Sequence, residues 1–257
     1  MKNELNIALI QGPLLWHDAA ANRAYFEERI RATNEVDLFV LPEMFTTGFT
    51  MEPSVVAENM EGATVEWMRN MAMELRCAIT GSVVIGESGQ FYNRLIFAAP
   101  DGSIQTYDKR HLFSLAHEDQ YYKAGQDKLI VEYRGWRLCP LVCYDLRFPV
   151  FARNANDYDV LLFVANWPEQ RIDAWDKLLV ARAIENMAYV VATNRTGLDV
   201  NGHNYPGHSQ VVNELGQYII EPGWTEGVLT ATLSYDKLQN IRKKFGFLDD
   251  RDNFTVV

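Results

Sequence analysis

The feature that most constrains the fold is an apolar segment, residues 138–142, that ends abruptly at Cys143. A short apolar run bounded by turn signals is typical of a buried β-strand. The polar segment after Cys143 ends at Pro149. The carboxyl end of a strand is where open α/β sheets place ligands and chemistry, so Cys143 is a candidate nucleophile. The alternative is that Cys143 is a small buried hydrophobic residue, as most free cysteines are.

Charge and composition limit the classes of partner. The chain has 24 basic and 34 acidic residues, and its net charge of −10 argues against binding to a nucleic-acid backbone. It contains no apolar run of about eighteen residues, so no membrane span is expected. The first strand begins close to Met1 and leaves no room for a signal peptide, and the three cysteines do not form a disulfide framework. These features predict a soluble, cytoplasmic protein.

The order of apolar runs and turn signals predicts two successive halves, each resembling a βαβ unit. Strands are predicted at 6–11, 37–41, 77–85, 91–99, 103–107, 129–131, 136–142, 159–165, 189–193, 209–213, 217–220 and 227–233. Helices are predicted at 18–32, 64–75, 172–188 and 235–244, and a long polar loop at 114–126. Strands buried on both faces imply two sheets with helices outside them. No Gly/Ser/Pro-rich linker separates the halves, so residues 1–257 are predicted to form a single domain.

Three reactive side chains follow predicted strands: Glu43, Lys109 and Cys143. Together they would satisfy the requirements of covalent acyl transfer. A thiol needs a base, which a carboxylate can supply, and a tetrahedral intermediate needs donors aimed at its oxyanion. Each residue also has a simpler interpretation, since Glu43 could be a solvated loop carboxylate and Lys109 could pair with Asp108 or Asp145.

Three segments resemble the signatures of the nitrilase, or carbon–nitrogen hydrolase, superfamily. They are Leu41-Pro42-Glu43-Met44-Phe45, Tyr107-Asp108-Lys109-Arg110-His111-Leu112-Phe113 and Val142-Cys143-Tyr144-Asp145-Leu146-Arg147-Phe148-Pro149. The resemblance covers essentially the whole chain, and Asn166-Trp167-Pro168 and Asn194-Arg195-Thr196-Gly197 are also similar to the family. The segment that starts at Cys143 looks like the Nit branch, whose members include omega-amidases.

The resemblance implies a role for each matching residue. Cys143 would be the nucleophile and Glu43 the general base, while Lys109 and the backbone N–H of Tyr144 would stabilise the oxyanion. Glu118 would be the second glutamate of the family, which positions the substrate and the catalytic groups. The implied fold is a four-layer α-β-β-α sandwich of two mixed sheets with helices outside. The family also implies a homodimer formed through the helical faces, with no metal and no organic cofactor.

The implied reaction is that of an omega-amidase, which cleaves the terminal amide of a short dicarboxylate monoamide such as alpha-ketoglutaramate. A cysteine thioester would form, and the acid and ammonia would be released. Arg147 is the candidate for binding the distal carboxylate, although it could instead pair with Asp145 or a C-terminal carboxylate. The alternatives are another amidase or carbamoyl hydrolase of the superfamily, or a non-catalytic binding protein of the same fold.

The remaining polar candidates have simpler interpretations. Cys139 and Cys143 would not converge on zinc from a strand, and Cys77 is expected in the core. His111 is expected to be a structural hydrogen-bonding residue beside Lys109. Two further histidines, His203 and His208, lie in a glycine-containing loop that could form a lid or rim. The apolar face of residues 172–188, including Trp175 and Leu179, is expected in the core or at a dimer interface.

Overall fold

A computed structural model describes residues 2–255. Its helices are α1 (Ala19–Ala32), α2 (Pro53–Val56), α3 (Ala63–Leu75), α4 (Glu118–Tyr121), α5 (Pro149–Ala152), α6 (Ile172–Asn186) and α7 (Tyr235–Phe245). Its strands are β1 (Glu4–Gln11), β2 (Leu38–Val40), β3 (Ala78–Glu87), β4 (Gln90–Ala98), β5 (Ile104–Asp108), β6 (Val131–Tyr133), β7 (Trp136–Val142), β8 (Val160–Ala165), β9 (Tyr189–Asn194), β10 (Thr196–Leu198), β11 (Asn204–Pro206), β12 (Gln210–Val212), β13 (Tyr218–Ile220) and β14 (Gly227–Ser234). Short 3₁₀ segments occur at Ser114–Ala116, Cys143–Arg147 and Glu169–Arg171.

The strands form two six-stranded mixed sheets and one separate pair. The first sheet has the order β14-β1-β2-β3-β4-β5, and the second has the order β13-β12-β9-β8-β7-β6. Strands β1, β2 and β3 are parallel, as are β7, β8 and β9, while the outer strands are antiparallel. The pair β10-β11 stands apart from both sheets. This architecture confirms the predicted two mixed sheets.

Alternation along β1 shows how the layers are built. Leu5, Ile7 and Leu9 belong to the apolar core between the sheets, whereas Ala8 and Ile10 belong to a second core that includes Phe26 of α1 and Met68 of α3. Successive strand residues point to opposite faces, so one strand contributes to both cores. On the outer face of the second sheet, Trp175 and Leu179 of α6 are fully buried. The four-layer sandwich is thereby confirmed, and the apolar face of α6 contributes to the core.

Local signals fix the helix ends where the sequence predicts them. The Asp18 side chain accepts a hydrogen bond of 2.9 Å from the backbone N–H of Ala21 at the start of α1. Ser234 caps α7, and Gly246 ends that helix with a left-handed φ of 65°. A side-chain acceptor satisfies a donor that has no partner within the helix, and glycine adopts positive φ without a Cβ penalty.

Several short segments differ from the sequence predictions, and neither α2 nor α5 is among the predicted helices. The predicted loop 114–126 contains α4, and the predicted loop after β9 contains the β10-β11 pair. Elements of three or four residues are too short for hydrophobic periodicity to reveal them. The strand β14 pairs with β1 along its whole length, so a strand from the second half of the chain completes the first sheet. Across residues 2–255, no helix has the length and apolar character needed to cross a membrane.

Candidate active site

The carboxyl ends of strands from both sheets bring the reactive side chains together. Glu43 follows β2, Lys109 directly follows β5, and Cys143 directly follows β7. Two antiparallel steps separate β3 from β5, so β5 runs parallel to β2 and both end at the same edge of the first sheet. Glu118 joins them as the first residue of α4. The sheets therefore face one another with charged groups at one shared edge.

Glu43, Lys109 and Glu118 form a buried ionic cluster. Lys109 Nζ lies 2.9 Å from Glu43 Oε1 and 2.9 Å from Glu118 Oε2, and none of the three side chains is more than 1% exposed. Lys109 therefore pairs with neither Asp108 nor Asp145, which were its alternative partners. Glu43 is likewise not a solvated loop carboxylate. Buried charges of this kind persist only when they are paired and hydrogen-bonded.

The cluster shifts the pKa values of Lys109 and Glu118. Burial alone would lower the pKa of Lys109, but the carboxylates of Glu118 and Glu43 more than offset it, so the pKa is raised and the ammonium stays charged. Burial raises the pKa of Glu118, while the Lys109 charge opposes that shift. A single ammonium thus balances two buried carboxylates.

Asn166 holds Glu43 from the second sheet. Its backbone N–H donates to Glu43 Oε2 over 2.8 Å, and its side-chain amide donates to the backbone carbonyl of Glu43 over 2.6 Å. Asn166 directly follows β8, so these bonds join the carboxyl ends of the two sheets. The sequence singled out Asn166 only as part of a family-like segment, and a strand followed by Asn-Trp-Pro was the signal of its position.

Cys143 begins the 3₁₀ segment after β7 with a left-handed φ of 45°. A non-glycine residue rarely adopts this conformation, and such strain clusters at functional sites. Its side chain is 9% exposed, and Sγ lies 3.9 Å from the carbonyl oxygen of Asn166. Burial and the Glu43 carboxylate raise the pKa of the thiol well above its usual value, while the Lys109 charge opposes them. Tyr144 follows in the first turn, where backbone N–H groups have no partner within the helix.

Asp145 fixes the turn that carries Cys143. Its carboxylate accepts hydrogen bonds from the Tyr107 hydroxyl at 2.8 Å and from the backbone N–H groups of Val142 and His111 at 3.0 Å. The His111 ring contacts the same carboxylate at 2.7 Å through Nδ1 and stacks on Phe148. Both oxygens of the Asp145 carboxylate therefore accept hydrogen bonds from groups other than Arg147. The alternative that Arg147 pairs with Asp145 is wrong. His111 makes the structural contact that the sequence predicts.

A cavity of about 330 Å³ opens in front of Cys143 and Lys109. Arg147 and Arg171 both line it, with Arg147 over the Trp167 ring at 5.0 Å and Arg171 over the Phe113 ring at 5.1 Å. Neither guanidinium forms an ion pair or a side-chain hydrogen bond with any residue between 2 and 255. Two uncompensated cations at one cavity suit an anionic ligand. Sequence reasoning selected Arg147 but missed Arg171, for which no motif gave a signal.

The other candidates lie around this centre with different surroundings. His203 lines the cavity, whereas His208 is held 2.9 Å from Asp176. Cys139 and Cys77 are buried free thiols, as expected for core residues. In the part of the chain that the structure describes, no group of three or more His, Cys, Asp or Glu side chains could hold a metal ion.

Comparison with known proteins identifies the class. The sequence profile of the carbon-nitrogen hydrolase family matches residues 6–243. Omega-amidase YafV of Yersinia enterocolitica is 46% identical over 257 residues, covering 98% of this chain and 99% of the relative. The 2-oxoglutaramate amidase of Bacillus subtilis is 32% identical over 225 residues, covering 86% of each chain.

A solved structure agrees with this fold over its full length. XC1258 from Xanthomonas campestris, a CN-hydrolase superfamily protein with an arsenic adduct in the active site, has a TM-score of 0.97, 46% identity and full coverage of both chains. Fold and similarity together define an amidohydrolase, an enzyme that acts on carbon–nitrogen bonds. The chain belongs to the carbon–nitrogen hydrolase family, as its three signature segments predict.

Proposed function

We propose that this protein is an omega-amidase that hydrolyses the terminal amide of short dicarboxylate monoamides, with alpha-ketoglutaramate as the leading substrate. The observation that carries the proposal is the placement of Cys143 in one cavity with Lys109, which pairs with Glu43, and with the guanidinium groups of Arg147 and Arg171. The omega-amidase and 2-oxoglutaramate amidase names of its relatives support the same substrate class.

In the first step, Cys143 Sγ attacks the amide carbonyl carbon. The raised pKa of the thiol keeps it protonated near neutral pH, so a base must remove the proton as the new C–S bond forms. Glu43 is the base, because its carboxylate is held by Lys109 and Asn166 and its charge acts directly on the thiol. The Lys109 ammonium and the Tyr144 N–H then stabilise the tetrahedral oxyanion.

In the second step, the C–N bond breaks and the intermediate collapses to a thioester. Glu43 returns its proton to the departing nitrogen, so ammonia leaves as a neutral molecule. Water then attacks the thioester carbon while Glu43 removes a proton from it, and Cys143 departs and regains a proton. The net reaction converts one amide and one water into one carboxylic acid and one ammonia.

Glu118 keeps Lys109 in place during both steps. Its carboxylate contacts Lys109 Nζ through both oxygens, at 2.9 and 3.1 Å, and also accepts a 2.6 Å hydrogen bond from the backbone N–H of Phe113. These contacts fix Glu118 itself. It therefore acts by positioning the ammonium that stabilises the oxyanion.

Arg147 binds the distal carboxylate of the substrate. The residue lies four positions after Cys143, lines the same cavity and has no competing carboxylate among residues 2–255. An arginine can bind a carboxylate through two parallel hydrogen bonds, which orients the substrate as well as attracting it. Substrates that lack the carboxylate would lose this contact.

The assembly and location belong to the same proposal. Residues 1–257 form a single domain, since β14 completes the sheet that β1 begins. Two copies form a homodimer through their helical faces, supported by the exposed side chain of Ile184 on α6 and the nearby exposed Leu215 and Ile219. The three buried free cysteines fit a reducing compartment such as the cytoplasm.

The test is ammonia release from alpha-ketoglutaramate, glutaramate, a carbamoyl amino acid, a nitrile and an uncharged aliphatic amide. The parent protein should prefer the two dicarboxylate monoamides, and Cys143→Ala should abolish release without changing the thermal unfolding temperature greatly. Cys139→Ala is the matched control, because it removes a buried thiol from β7, the strand that precedes Cys143, and leaves Cys143 in place. Preference for the carbamoyl compound or the nitrile would overturn the substrate class, and an active Cys143→Ala protein would overturn the mechanism.

A further inference from the structure

Asn93, a residue of β4, is hydrogen-bonded to all three residues of the buried cluster. Its side-chain Nδ2 donates to Glu43 Oε1 at 2.8 Å and to Glu118 Oε1 at 3.1 Å. Its backbone carbonyl accepts a 3.0 Å hydrogen bond from the backbone N–H of Lys109. The residue is 1% exposed. No other residue among 2–255 donates from one side chain to both carboxylates except Lys109.

The chemistry of the amide suits this position. Two carboxylates share a single ammonium, so part of their negative charge must be stabilised by neutral donors. The amide nitrogen of asparagine carries two hydrogens, one for each carboxylate, and adds no charge. Its Oδ1 atom has no hydrogen-bond partner among the described residues. Asn93 therefore leaves a buried acceptor unpaired in order to direct both hydrogens at the carboxylates.

We propose that Asn93 is a positioning residue, which holds the carboxylates of Glu43 and Glu118 in the orientation that the reaction at Cys143 needs. The proposal rests on the proposed role of Glu43 as general base. Without the Asn93 amide, each carboxylate loses one hydrogen bond and can shift, and a small misplacement of a catalytic group slows the chemical step. Asn93 does not line the cavity, so its loss should lower kcat and leave KM nearly unchanged.

The experiment compares Asn93→Ala and Asn93→Asp with the parent, using the intact protein and its amide substrate. Asn93→Ala should lower kcat by about 10- to 100-fold with little change in KM, because a small misplacement of a catalytic group has effects of this size. Asn93→Asp keeps the shape of the side chain but adds a third carboxylate to the cluster, so it should lower kcat further, again with little change in KM. The backbone bond to Lys109 survives both changes.

Asn154→Ala is the matched control, since Asn154 is equally buried but bonds only to Tyr158 and Asn186, in the second half of the fold. It should lower the thermal unfolding temperature without changing kcat or KM. An unchanged kcat in both Asn93 variants, or an equal loss of kcat in Asn154→Ala, would reduce Asn93 to a structural residue and overturn the proposal. An active Glu43→Gln protein would instead overturn the proposed role of Glu43 as general base. That result does not depend on the Asn93 variants, so the two failures can be told apart.

A second observation concerns Arg171, which precedes α6. Its guanidinium lies over Phe113 and faces the same cavity as Arg147. The acidic residues that line this cavity are Glu52 and Asp199, and each has another contact. The Asp199 carboxylate accepts from the Tyr205 hydroxyl and from two backbone N–H groups, and Glu52 is two-thirds exposed with His17 at 3.9 Å. Among residues 2–255, the Arg171 guanidinium therefore has no carboxylate partner, in a protein whose net charge is −10.

We infer that Arg171 is a specificity-determining residue that binds the substrate carboxylate together with Arg147. The inference deepens the proposed function and depends on it. The Arg171 backbone carbonyl already accepts a 2.8 Å hydrogen bond from the Trp167 ring, so the segment that carries the guanidinium is anchored to the ring beneath Arg147. Two guanidinium groups would accommodate all the lone pairs of one carboxylate.

The experiment measures kcat/KM of Arg171→Gln for alpha-ketoglutaramate, glutaramate and pentanamide. The first two should lose about tenfold or more, the size of a lost charged hydrogen bond, and the uncharged amide should change little. Arg69→Gln on α3 removes the same charge away from the cavity and should have no effect. Equal losses on all three amides, or a loss confined to alpha-ketoglutaramate, would overturn carboxylate binding. Failure of the parent to hydrolyse either dicarboxylate monoamide would overturn the proposed function itself.

Discussion

Lys109 Nζ and Glu43 Oε1 lie 2.9 Å apart, with both side chains almost completely buried. Glu118 contacts the same ammonium, so removing the cation would leave two buried carboxylates next to each other without a counter-charge. We expect Lys109→Met to lower the free energy of unfolding by about 3–5 kcal/mol, the usual cost of an uncompensated buried charge. Denaturant unfolding monitored by circular dichroism measures this loss.

The exposed pair of Lys177 and Asp173 on α6 provides the control. The two side chains are 75% and 87% exposed, so Lys177→Met should change the free energy of unfolding very little. The loss in Lys109→Met should also grow as pH rises, because the pKa of Glu118 is raised in the folded state and its protonation can relieve the repulsion only at lower pH. Equal stabilities of the two variants would contradict the importance of the buried pair.

The thiol of Cys143 offers a second measurement. Burial and then the Glu43 carboxylate raise its pKa, so Glu43→Gln should lower the thiol pKa while it abolishes turnover. Ultraviolet thiolate absorbance against pH, taken as the difference from Cys143→Ala, follows the titration. A thiol pKa that does not fall in Glu43→Gln would show that the carboxylate charge does not act on Sγ.

The sequence predicts the scaffold and the charged centre well because both rest on strong local signals. The predicted strands before Glu43, Lys109 and Cys143 end within one residue of the ends of β2, β5 and β7, and the carboxyl ends of strands are where α/β sheets place their chemistry. The family resemblance added the order of residues and the four-layer arrangement. Strand patterns and family motifs each describe one segment of the chain. They therefore predict where a residue lies in the fold but not which distant residues it contacts.

The missed features depend on contacts between distant segments. Asn93 lies within a strand and Asn166 after one, and only the folded chain brings their amides to Glu43. Glu118 could be named by analogy, but its helix has four residues, and no periodicity can be seen over so short a length. No sequence motif points to Arg171 either. Its proposed role depends on its position at the cavity and on the lack of a carboxylate partner for its guanidinium among residues 2–255, and only the folded chain shows both.

The buried thiol of Cys139 should make the free energy of unfolding fall at alkaline pH. Burial raises the pKa of its thiol to about 12, against about 8.5 for an unfolded cysteine. Its contribution to stability is therefore complete below about pH 8.5 and is lost as pH rises towards the folded pKa, at about 1.4 kcal/mol per pH unit. The free energy of unfolding should thus fall less steeply between about pH 9 and 10 in Cys139→Val than in the parent. Urea unfolding at several pH values measures this free energy. The same dependence on pH in Cys139→Val and in the parent would contradict the prediction.

Arg147 provides the test of how the enzyme selects its substrate. Lysine keeps the charge but not the planar pair of donors that binds a carboxylate through two hydrogen bonds. Arg147→Lys should therefore raise KM for alpha-ketoglutaramate by about tenfold, the size of one lost charged hydrogen bond, and change KM for an uncharged amide much less. Steady-state ammonia release with both substrates measures the ratio, and Arg69→Lys, on a helix away from the cavity, should leave both values unchanged. An equal rise for both amides would mean that Arg147 shapes the cavity through its contact with Trp167 instead of binding the carboxylate.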